Sequence, residues 1–382
     1  MSTPTDLPRQ RAIEELLEHE RLDALVACSY EALCYFAGTD IQTQLHLAER
    51  LEFFVALQGA PPELLVCNIE ESQVRTQTSI GAISTYVEFE DDPASKLADL
   101  LSERSVTSGR VGIEGHRLPA AALRTLETTL PEITFVPLDR ELERLQVAKS
   151  EIEADSLGAL ARSLLGALDE TITALGSSAS EQDYGGELVS RVARTGALPL
   201  FLVFAAGPRT ALGHPEPSRD RLQPGSVWRT DFGARIPGGL CGDVARTGVV
   251  GTPSTEQQEI FAVVRAAQDA AVALAEPGRP ARDLYFACKQ AFERGGFPLL
   301  IPHVGHGIGV GLHEAPVLEP RNAAPLAEGA VLNIEPFAIL PERGEGYHTE
   351  DMVLVSSDGP VRLTQPQDSL LLIPETSGGQ DD

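Results

Sequence analysis

The chain has 382 residues. A single hydrophobic core rarely organises so many residues, so two domains are expected. A hydrophobic content of 42% with many glycines and prolines is typical of a globular α/β or α+β protein. The formal net charge of −26 argues against nucleic acid and anionic membranes as partners, and no apolar run is long enough to predict a transmembrane helix.

The N-terminus and the cysteines indicate a compartment. The first residues carry no basic segment followed by an apolar run, so no secretory signal is predicted. The five cysteines are odd in number and form no CxxC pair, which indicates reduced thiols and a cytoplasmic protein. Each is expected to be a small buried apolar side chain: Cys28, Cys34, Cys67, Cys241 and Cys288.

The first domain, residues 1–145, is predicted to be α/β. Short apolar runs predict strands at residues 24–27, 53–57, 64–67 and 110–113. Helical patterns alternate with them near residues 12–17, 94–104 and 119–130. This alternation is typical of a layered sheet covered by helices. The histidines of this domain are scattered, and no catalytic site is expected in it.

A second domain is predicted over residues 146–374, and a disordered tail over residues 375–382. A Pro-free stretch over residues 140–175 predicts a long helical segment that connects the two domains. Ser254 and Gln257 predict a capping box for a helix ending near Pro277, and a further helix is predicted from Ala281 to Arg294. Strand-like runs lie at residues 226–234, 244–250, 330–339 and 347–355, and they predict a mixed or antiparallel sheet.

Two aspartates flank a predicted hairpin in this domain. The turn residues 237–239 lie midway between Asp231 and Asp243. A hairpin folded about them would bring the two carboxylates nearly opposite, with Cβ atoms about 4.5–5.5 Å apart. Like charges so placed are destabilising unless a cation lies between them, so a metal site is predicted. Two exposed aspartates beside a loop are the alternative, which the apolar neighbours Trp228 and Phe232 disfavour.

Further candidate ligands follow in the same domain. Glu335 lies in an apolar run, where an unpaired carboxylate is costly to bury. Strand alternation puts His348 and Glu350 on one face. His306 lies in the glycine-rich segment 303–309, whose glycines would let backbone and metal approach closely. A dinucleotide-binding loop is the alternative there, but the spacing is not GxGxxG and no helix pattern follows.

Together these residues resemble the pita-bread metallopeptidases, which include methionine aminopeptidase, Xaa-Pro aminopeptidase and prolidase. The matching segments occur in the family's order: Asp231-Phe232-Gly233, Asp243 with Arg246-Thr247, Gly305-His306-Gly307-Ile308-Gly309, His313-Glu314-Ala315-Pro316, Glu335-Pro336 and Glu350-Asp351. The first domain, including Tyr35-Phe36-Ala37-Gly38, resembles the N-terminal domain of creatinase and prolidase, which favours the proline-directed branch. The resemblance implies an α/β N-terminal domain followed by an α+β pita-bread domain with a curved, mixed, largely antiparallel sheet.

The resemblance also implies a reaction centre with two divalent metal ions, Mn²⁺, Co²⁺ or Zn²⁺, and a bridging hydroxide. Asp231 would bind one ion, His306 and Glu335 would bind the other, and Asp243 and Glu350 would bridge them. Glu335 would also carry the proton to the leaving nitrogen. His214 and His313 would hydrogen-bond the substrate carbonyl and the tetrahedral intermediate.

Two histidines depart from the family pattern. His348 stands two residues before Glu350, where prolidases and Xaa-Pro aminopeptidases carry arginine. His303 lies three residues before His306, where the family more often has a histidine four residues before. Both are candidates for substrate binding, and they leave the substrate less defined than the type of reaction.

The sequence therefore predicts a dinuclear metal-dependent exopeptidase that hydrolyses Xaa-Pro bonds in dipeptides or at peptide N-termini. Its substrates would be small peptides, and analogy with the fold predicts a homodimer. A prolidase-like dipeptidase and an Xaa-Pro aminopeptidase both remain open. Alternatives are a creatinase- or ectoine-hydrolase-like hydrolase of small amides or amidines and a non-catalytic peptide-binding protein. The complete set of five metal ligands argues against both.

Overall fold

The computed structural model describes residues 6–47 and 49–375. The chain divides into two compact units, residues 1–146 and 147–382. The tail expected over residues 375–382 lies, apart from Glu375, outside the described residues. Within the described ranges, none of the helices is long and apolar enough to cross a membrane. All five cysteines are buried, as expected of small apolar side chains.

The first unit is built on one six-stranded sheet in the order β4-β3-β2-β1-β5-β6. Its strands are β1 (Ala24–Ala27), β2 (Phe53–Leu57), β3 (Glu63–Cys67), β4 (Ala82–Tyr86), β5 (Gly109–Ile113) and β6 (Ile133–Pro137). Its helices are α1 (Asp6–Glu20), α2 (Tyr30–Ala32), α3 (Glu71–Gln77), α4 (Pro93–Glu103), α5 (Ala120–Thr129) and α6 (Asp139–Val147). Strand β2 pairs antiparallel with β1 and β3, and the other neighbours pair parallel.

Helices cover both faces of this sheet because alternate residues of a strand point to opposite sides. Ala24 and Val26 of β1 pack in a core with residues of α4 and α5. Leu25 and Ala27 pack on the other side, in a core that includes residues of α1. The predicted α/β class of this unit is therefore confirmed.

The second unit begins with two helices, α7 (Glu151–Ala174) and α8 (Glu181–Arg194). The helical segment predicted over residues 140–175 is wrong in one respect, since it is interrupted between α6 and α7. Ser150 begins α7: its hydroxyl accepts from the Glu153 backbone N–H, and the Glu153 carboxylate accepts from the Ser150 N–H. This capping box fixes a helix start inside the Pro-free stretch.

Three sheets and two more helices complete the second unit. The first sheet runs β16-β9-β8-β7, the second β10-β11-β14-β15, and the third is the pair β12-β13. All neighbours are antiparallel except β16 and β9, so the predicted α+β unit with mixed, largely antiparallel sheets is confirmed. The strands are β7 (Leu198–Ala206), β8 (Val227–Arg235), β9 (Cys241–Val250), β10 (Gly305–Gly307), β11 (Val331–Ile334), β12 (Phe337–Leu340), β13 (Glu345–His348), β14 (Asp351–Leu354), β15 (Val361–Arg362) and β16 (Leu371–Ile373).

The two helices are α9 (Thr255–Val272) and α10 (Ala281–Arg294). The predicted capping box of Ser254 and Gln257 opens α9, which ends at Val272 rather than near Pro277. Short helical turns lie at Leu33–Ala37, Gln42–Leu45 and Gly207–Ala211. Two predicted strands are wrong as continuous elements: the run 330–339 divides between β11 and β12, and the run 347–355 divides between β13 and β14. Each break falls at a candidate ligand, Glu335 and Glu350 respectively.

Candidate metal centre

Asp231 and Asp243 share one face of the β8–β9 hairpin. Trp228 and Phe232 of β8 pack toward the core with α7 and α8. Alternation turns the two aspartates to the opposite face. Asp231 pairs with Ala245, and Asp243 pairs with Gly233. The prediction that the carboxylates lie nearly opposite is therefore wrong.

The aspartates are diagonal neighbours, and diagonal residues of a hairpin are about 7–8 Å apart. The length of the turn explains this diagonal arrangement. The loop between the strands occupies residues 236–240, and the pairing from 227 to 235 continues without a bulge. The ladder therefore keeps its register, and the separation of the two carboxylates leaves room for a cation between them.

His306, Glu335 and Glu350 come from the second sheet and its edges. His306 lies in β10 opposite Asn333 of β11, and Glu335 follows β11 directly. Glu350 precedes β14, and its backbone N–H donates to the Ala245 carbonyl at 3.0 Å. This bond brings Glu350 to the strand that carries Asp243.

The glycines beside His306 let other segments of the backbone approach closely. A Cβ on Gly305 would lie 2.0 Å from the Asn333 carbonyl oxygen, and one on Gly307 would lie 2.2 Å from the Ala315 oxygen. Only glycine admits these close approaches. The expected close approach at these positions is therefore made by neighbouring chain segments.

Two groups of possible metal ligands lie within this site, and they share Glu350. One group contains Asp243, His306 and Glu350, and the other contains Glu335, His348 and Glu350. Within each group, one ligand atom from every member lies within 4.8 Å of the others. Asp231 belongs to neither group, but its Oδ2 lies 3.7 Å from the His348 Nδ1.

The remaining histidines surround this centre. His303 Nδ1 lies 3.5 Å from Glu335 Oε1. The ring of His313 stacks on that of His306, with ring centroids 3.7 Å apart, and its side chain is exposed. His214 is exposed too, and it is close enough to Asp231 and Glu335 to interact with them electrostatically, although burial dominates and raises the pKa of both carboxyls. The structure thus brings all nine predicted site residues into one region of the second unit.

His306 presents a defined nitrogen to the carboxylates. Its Nδ1 lies 2.9 Å from the Gly307 carbonyl oxygen, which can only accept, so Nδ1 carries the proton. The Nε2 lone pair then faces Glu335 Oε1 at 3.6 Å. Burial lowers the pKa of His306 to about 3, so the ring is neutral at physiological pH. A neutral imidazole with this tautomer is the form that ligates metals.

The carboxylates fit a divalent cation. Burial, and then the charges of neighbouring carboxylates, raise the pKa of Asp243 and of Glu350 well above their ordinary values. Burial also raises the pKa of Asp231 and Glu335. One buried oxygen each of Asp243, Glu335 and Glu350 has no hydrogen-bond partner among the described residues. Unpaired buried carboxylates are costly, and a bound dication would supply the missing partner.

Several supporting residues were not assigned roles from the sequence. Asn333 donates from Nδ2 to Glu350 Oε1 at 2.7 Å. Arg246 donates from Nη1 to the Glu350 carbonyl at 2.6 Å and from Nη2 to Asp351 Oδ1 at 2.9 Å. Arg229 donates to the carbonyls of the segment before His214. The signal for all three was available, since each is a polar residue inside an apolar strand pattern.

Comparison with known proteins shows which family the chain belongs to. Residues 158–357, just over half of the chain, match the metallopeptidase family M24. The chain belongs to this family. Residues 9–147 match the creatinase/prolidase N-terminal domain. The resemblance seen in the sequence is therefore confirmed. The chain is a metallopeptidase of family M24 with a creatinase/prolidase N-terminal domain.

Relatives resemble the chain over nearly its whole length. An Xaa-Pro dipeptidase of Pyrococcus horikoshii is 30% identical over 366 residues, which cover 94% of this chain and 98% of the relative. A solved Xaa-Pro dipeptidase from Bacillus anthracis has a TM-score of 0.86 at 22% identity and covers 96% of this chain and 99% of its own. The X-Pro aminopeptidase of Thermotoga maritima has a TM-score of 0.84 at 22% identity, with coverage of 95% and 99%. The two structures show that the fold is shared.

Proposed function

We propose that this M24 member is an exopeptidase that hydrolyses Xaa-Pro bonds in dipeptides, using two divalent metal ions to activate a water molecule. The observation that carries the proposal is the pair of ligand groups joined by Glu350, in which one buried oxygen each of Asp243, Glu335 and Glu350 has no hydrogen-bond partner among the described residues. The relatives named Xaa-Pro dipeptidase support the substrate class, because they match this chain from end to end at 26–30% identity.

Four of the five predicted ligands divide between the two groups, and Asp231 lies outside both, next to His348. We propose a division that differs from the one implied by the family resemblance: Asp243 and His306 would hold one ion, Glu335 would hold the other together with Asp231, and Glu350 would contact both. When bound, two such cations supply an activated water as the nucleophile and polarise the scissile carbonyl. Oxygen and imidazole ligands without thiolate suit Mn²⁺, Co²⁺ or Zn²⁺.

Glu335 is the carboxylate placed to move the proton. Its side chain is 15% exposed, whereas Glu350 is 1% and Asp243 is 3% exposed. It therefore reaches the space that a peptide would enter, while the other two are enclosed. Burial raises the pKa of Glu335, which favours its holding a proton and donating it to the leaving nitrogen.

His214 and His313 are the proposed hydrogen-bond donors to the substrate carbonyl and the tetrahedral intermediate. Both side chains are exposed, and the His313 ring is kept at the centre by stacking on His306. Donors that are fixed before the reaction stabilise developing charge at little further cost. His303 lies beside Glu335 with a side chain that is 36% exposed, and it is proposed to contact the substrate.

A turnover panel tests the function. Xaa-Pro dipeptides, Xaa-Pro tripeptides and dipeptides without proline are compared, each with Mn²⁺, Co²⁺ or Zn²⁺ supplied. Hydrolysis confined to Xaa-Pro dipeptides, and lost on treatment with a chelator, is the expected result. Asp243→Asn is expected to lose both bound metal and turnover. Cleavage of tripeptides in preference to dipeptides would assign an aminopeptidase instead, and undiminished turnover in the metal-free protein would overturn the mechanism.

A further inference from the structure

His348 is enclosed among the carboxylates of the site. It is 3% exposed, and neither of its ring nitrogens forms a hydrogen bond within the described residues. Its Nε2 lies 3.4 Å from Glu335 Oε2, and its Nδ1 lies 3.7 Å from Asp231 Oδ2. Both nitrogens thus face carboxylate oxygens at distances longer than the ordinary N–H···O hydrogen bond of about 2.9 Å.

The surrounding residues fix this ring in place. The Thr247 hydroxyl accepts from the His348 N–H at 2.8 Å and donates to the His348 carbonyl at 2.7 Å. The Phe337 ring packs against the imidazole, with ring centroids 5.0 Å apart. A side chain held at both its backbone groups and its ring face keeps its nitrogens aimed at one place, as a metal ligand requires.

The burial of His348 argues against a direct contact with substrate. His303 faces the same carboxylate, Glu335, but its side chain is 36% exposed, against 3% for His348. A peptide entering the site can therefore reach His303 directly. His348 is enclosed beside the carboxylates of Asp231 and Glu335, where an ion bound to them would be its neighbour.

We propose that His348 Nε2 is a sixth protein ligand of the metal centre and binds the second ion together with Glu335 and Glu350. The proposal rests on the proposed function for the presence of metal ions. Two donors each about 2.1 Å from a shared ion are about 3.0–3.4 Å apart at ordinary ligand angles. The 3.4 Å between His348 Nε2 and Glu335 Oε2 fits such a pair.

The other face of the ring is consistent with this assignment. Metal-ligating histidines commonly donate their second ring N–H to a carboxylate, which fixes the tautomer. The His348 Nδ1 faces Asp231 Oδ2, as such a carboxylate would be placed. Asp231 would thereby orient the new ligand in addition to its own proposed contact with the metal.

A second imidazole changes the metal that the centre favours. Nitrogen donors favour Zn²⁺ and Co²⁺ over Mn²⁺, whereas a centre of carboxylates with one imidazole is more tolerant of Mn²⁺. We therefore expect the wild-type protein to select Zn²⁺ and Co²⁺ over Mn²⁺, and a His348→Gln variant to lose part of that selectivity. Its Zn²⁺ affinity should fall by about 100-fold and its Mn²⁺ affinity by about 10-fold.

X-ray absorption spectroscopy of the Zn²⁺-loaded protein counts imidazole ligands directly. The wild-type protein is expected to show two imidazoles per two ions, and His348→Gln one. Glutamine retains an N–H donor, so a role as a mere hydrogen-bond donor to the carboxylates would leave the count unchanged. His303→Gln is the matched control, since it removes the other histidine facing Glu335, and it should leave the count at two.

The outcomes separate this inference from the proposed function. A wild-type protein that binds two ions with a single imidazole overturns the assignment of His348 without needing any variant. A count that falls in His303→Gln rather than in His348→Gln overturns it as well. Failure of the wild-type protein to bind any of the three metals would overturn the proposed function along with the inference.

Discussion

Replacing Glu350 by Gln tests whether the ligand carboxylates destabilise the protein when no metal is bound. Glu350 is 1% exposed, and its Oε1 accepts from Asn333 Nδ2 at 2.7 Å. The Oε1 of glutamine accepts the same bond, and the side chain keeps its shape. The substitution therefore removes a negative charge and alters little else.

The size of the effect follows from the spacing of the charges. Ligand atoms of Glu350 and Asp243 lie within 4.8 Å of each other. Two unit charges at this distance repel by about 3.5 kcal/mol at an effective dielectric constant of about 20. Protonation relieves part of this repulsion, because the pKa of both groups is raised. We expect metal-free Glu350→Gln to be about 2–3 kcal/mol more stable than the wild-type protein at pH 8.

Urea unfolding in the presence of a chelator measures this difference. Trp228 is the single tryptophan of the chain, and it is fully buried in β8. Its fluorescence therefore reports unfolding of the second unit alone. Added Zn²⁺ should reverse the order of stability, since the wild-type protein gains binding free energy that the variant has lost.

Glu314→Gln is the matched control, with the opposite expected sign. Glu314 is also a buried carboxylate of the second unit, but it pairs with Lys149 Nζ at 2.5 Å, and the two side chains are 8% and 4% exposed. Removing its charge breaks this buried ion pair, which costs about 3–5 kcal/mol. The reasoning is refuted if metal-free Glu350→Gln is destabilised as Glu314→Gln is, because the carboxylates would then not repel one another.

Three further changes test other parts of the structure. Thr247→Val removes the hydroxyl that serves both backbone groups of His348, and should lower the free energy of unfolding by about 2–4 kcal/mol in urea titrations. Arg229→Met removes the donor to the Thr210 and Leu212 carbonyls, so kcat/KM should fall by about 100-fold while metal content per subunit stays the same. Burial raises the pKa of Glu52 from 4.5 to about 8, so wild-type stability should fall as pH rises between these values, and calorimetry should show Glu52→Gln gaining up to about 1.4 kcal/mol per pH unit relative to it.

Each of these predictions has a result that contradicts it. Thr171 is also fully buried, but within the described part of the chain its hydroxyl bonds only to the Ala167 carbonyl of α7. A loss of stability in Thr171→Val as large as that in Thr247→Val would therefore contradict the double role of the Thr247 hydroxyl. Unchanged kcat/KM in Arg229→Met would show that His214 is placed by other contacts. A stability difference between Glu52→Gln and wild type that is independent of pH would mean that Glu52 is ionised throughout the range.

The fold class and the candidate ligands could be predicted because burial of charge is visible in a sequence. Asp231 and Glu335 stand in apolar runs, and a carboxylate there needs a partner that only a metal or a base can supply. The hairpin about residues 237–239 was also predictable, since glycine and proline mark its turn. Strand β4 was not, because its residues are largely polar and half exposed. It pairs with β3 through backbone bonds and through the Ser84 hydroxyl, which donates to Glu63 Oε1 at 2.7 Å.

The register of the β8–β9 hairpin and the breaks in two predicted strands could not be predicted from the sequence. The number of loop residues decides whether two aspartates lie opposite or diagonal, and residues 236–240 give the diagonal arrangement. The runs 330–339 and 347–355 looked continuous because their apolar residues continue past Glu335 and Glu350. The breaks occur where the chain leaves one sheet for another, which depends on pairings with distant strands.

The sequence neighbours of His348 are not enough to assign its role. Read only as a substitute for arginine, it suggested a contact with substrate. Its environment supports a different role, because Thr247 and Phe337 hold the ring against Asp231 and Glu335 rather than toward an opening. An arginine there would add a positive charge to four carboxylates, whereas a neutral imidazole leaves their full charge to be balanced by metal. The replacement therefore increases the demand for bound cations while offering one more ligand to hold them.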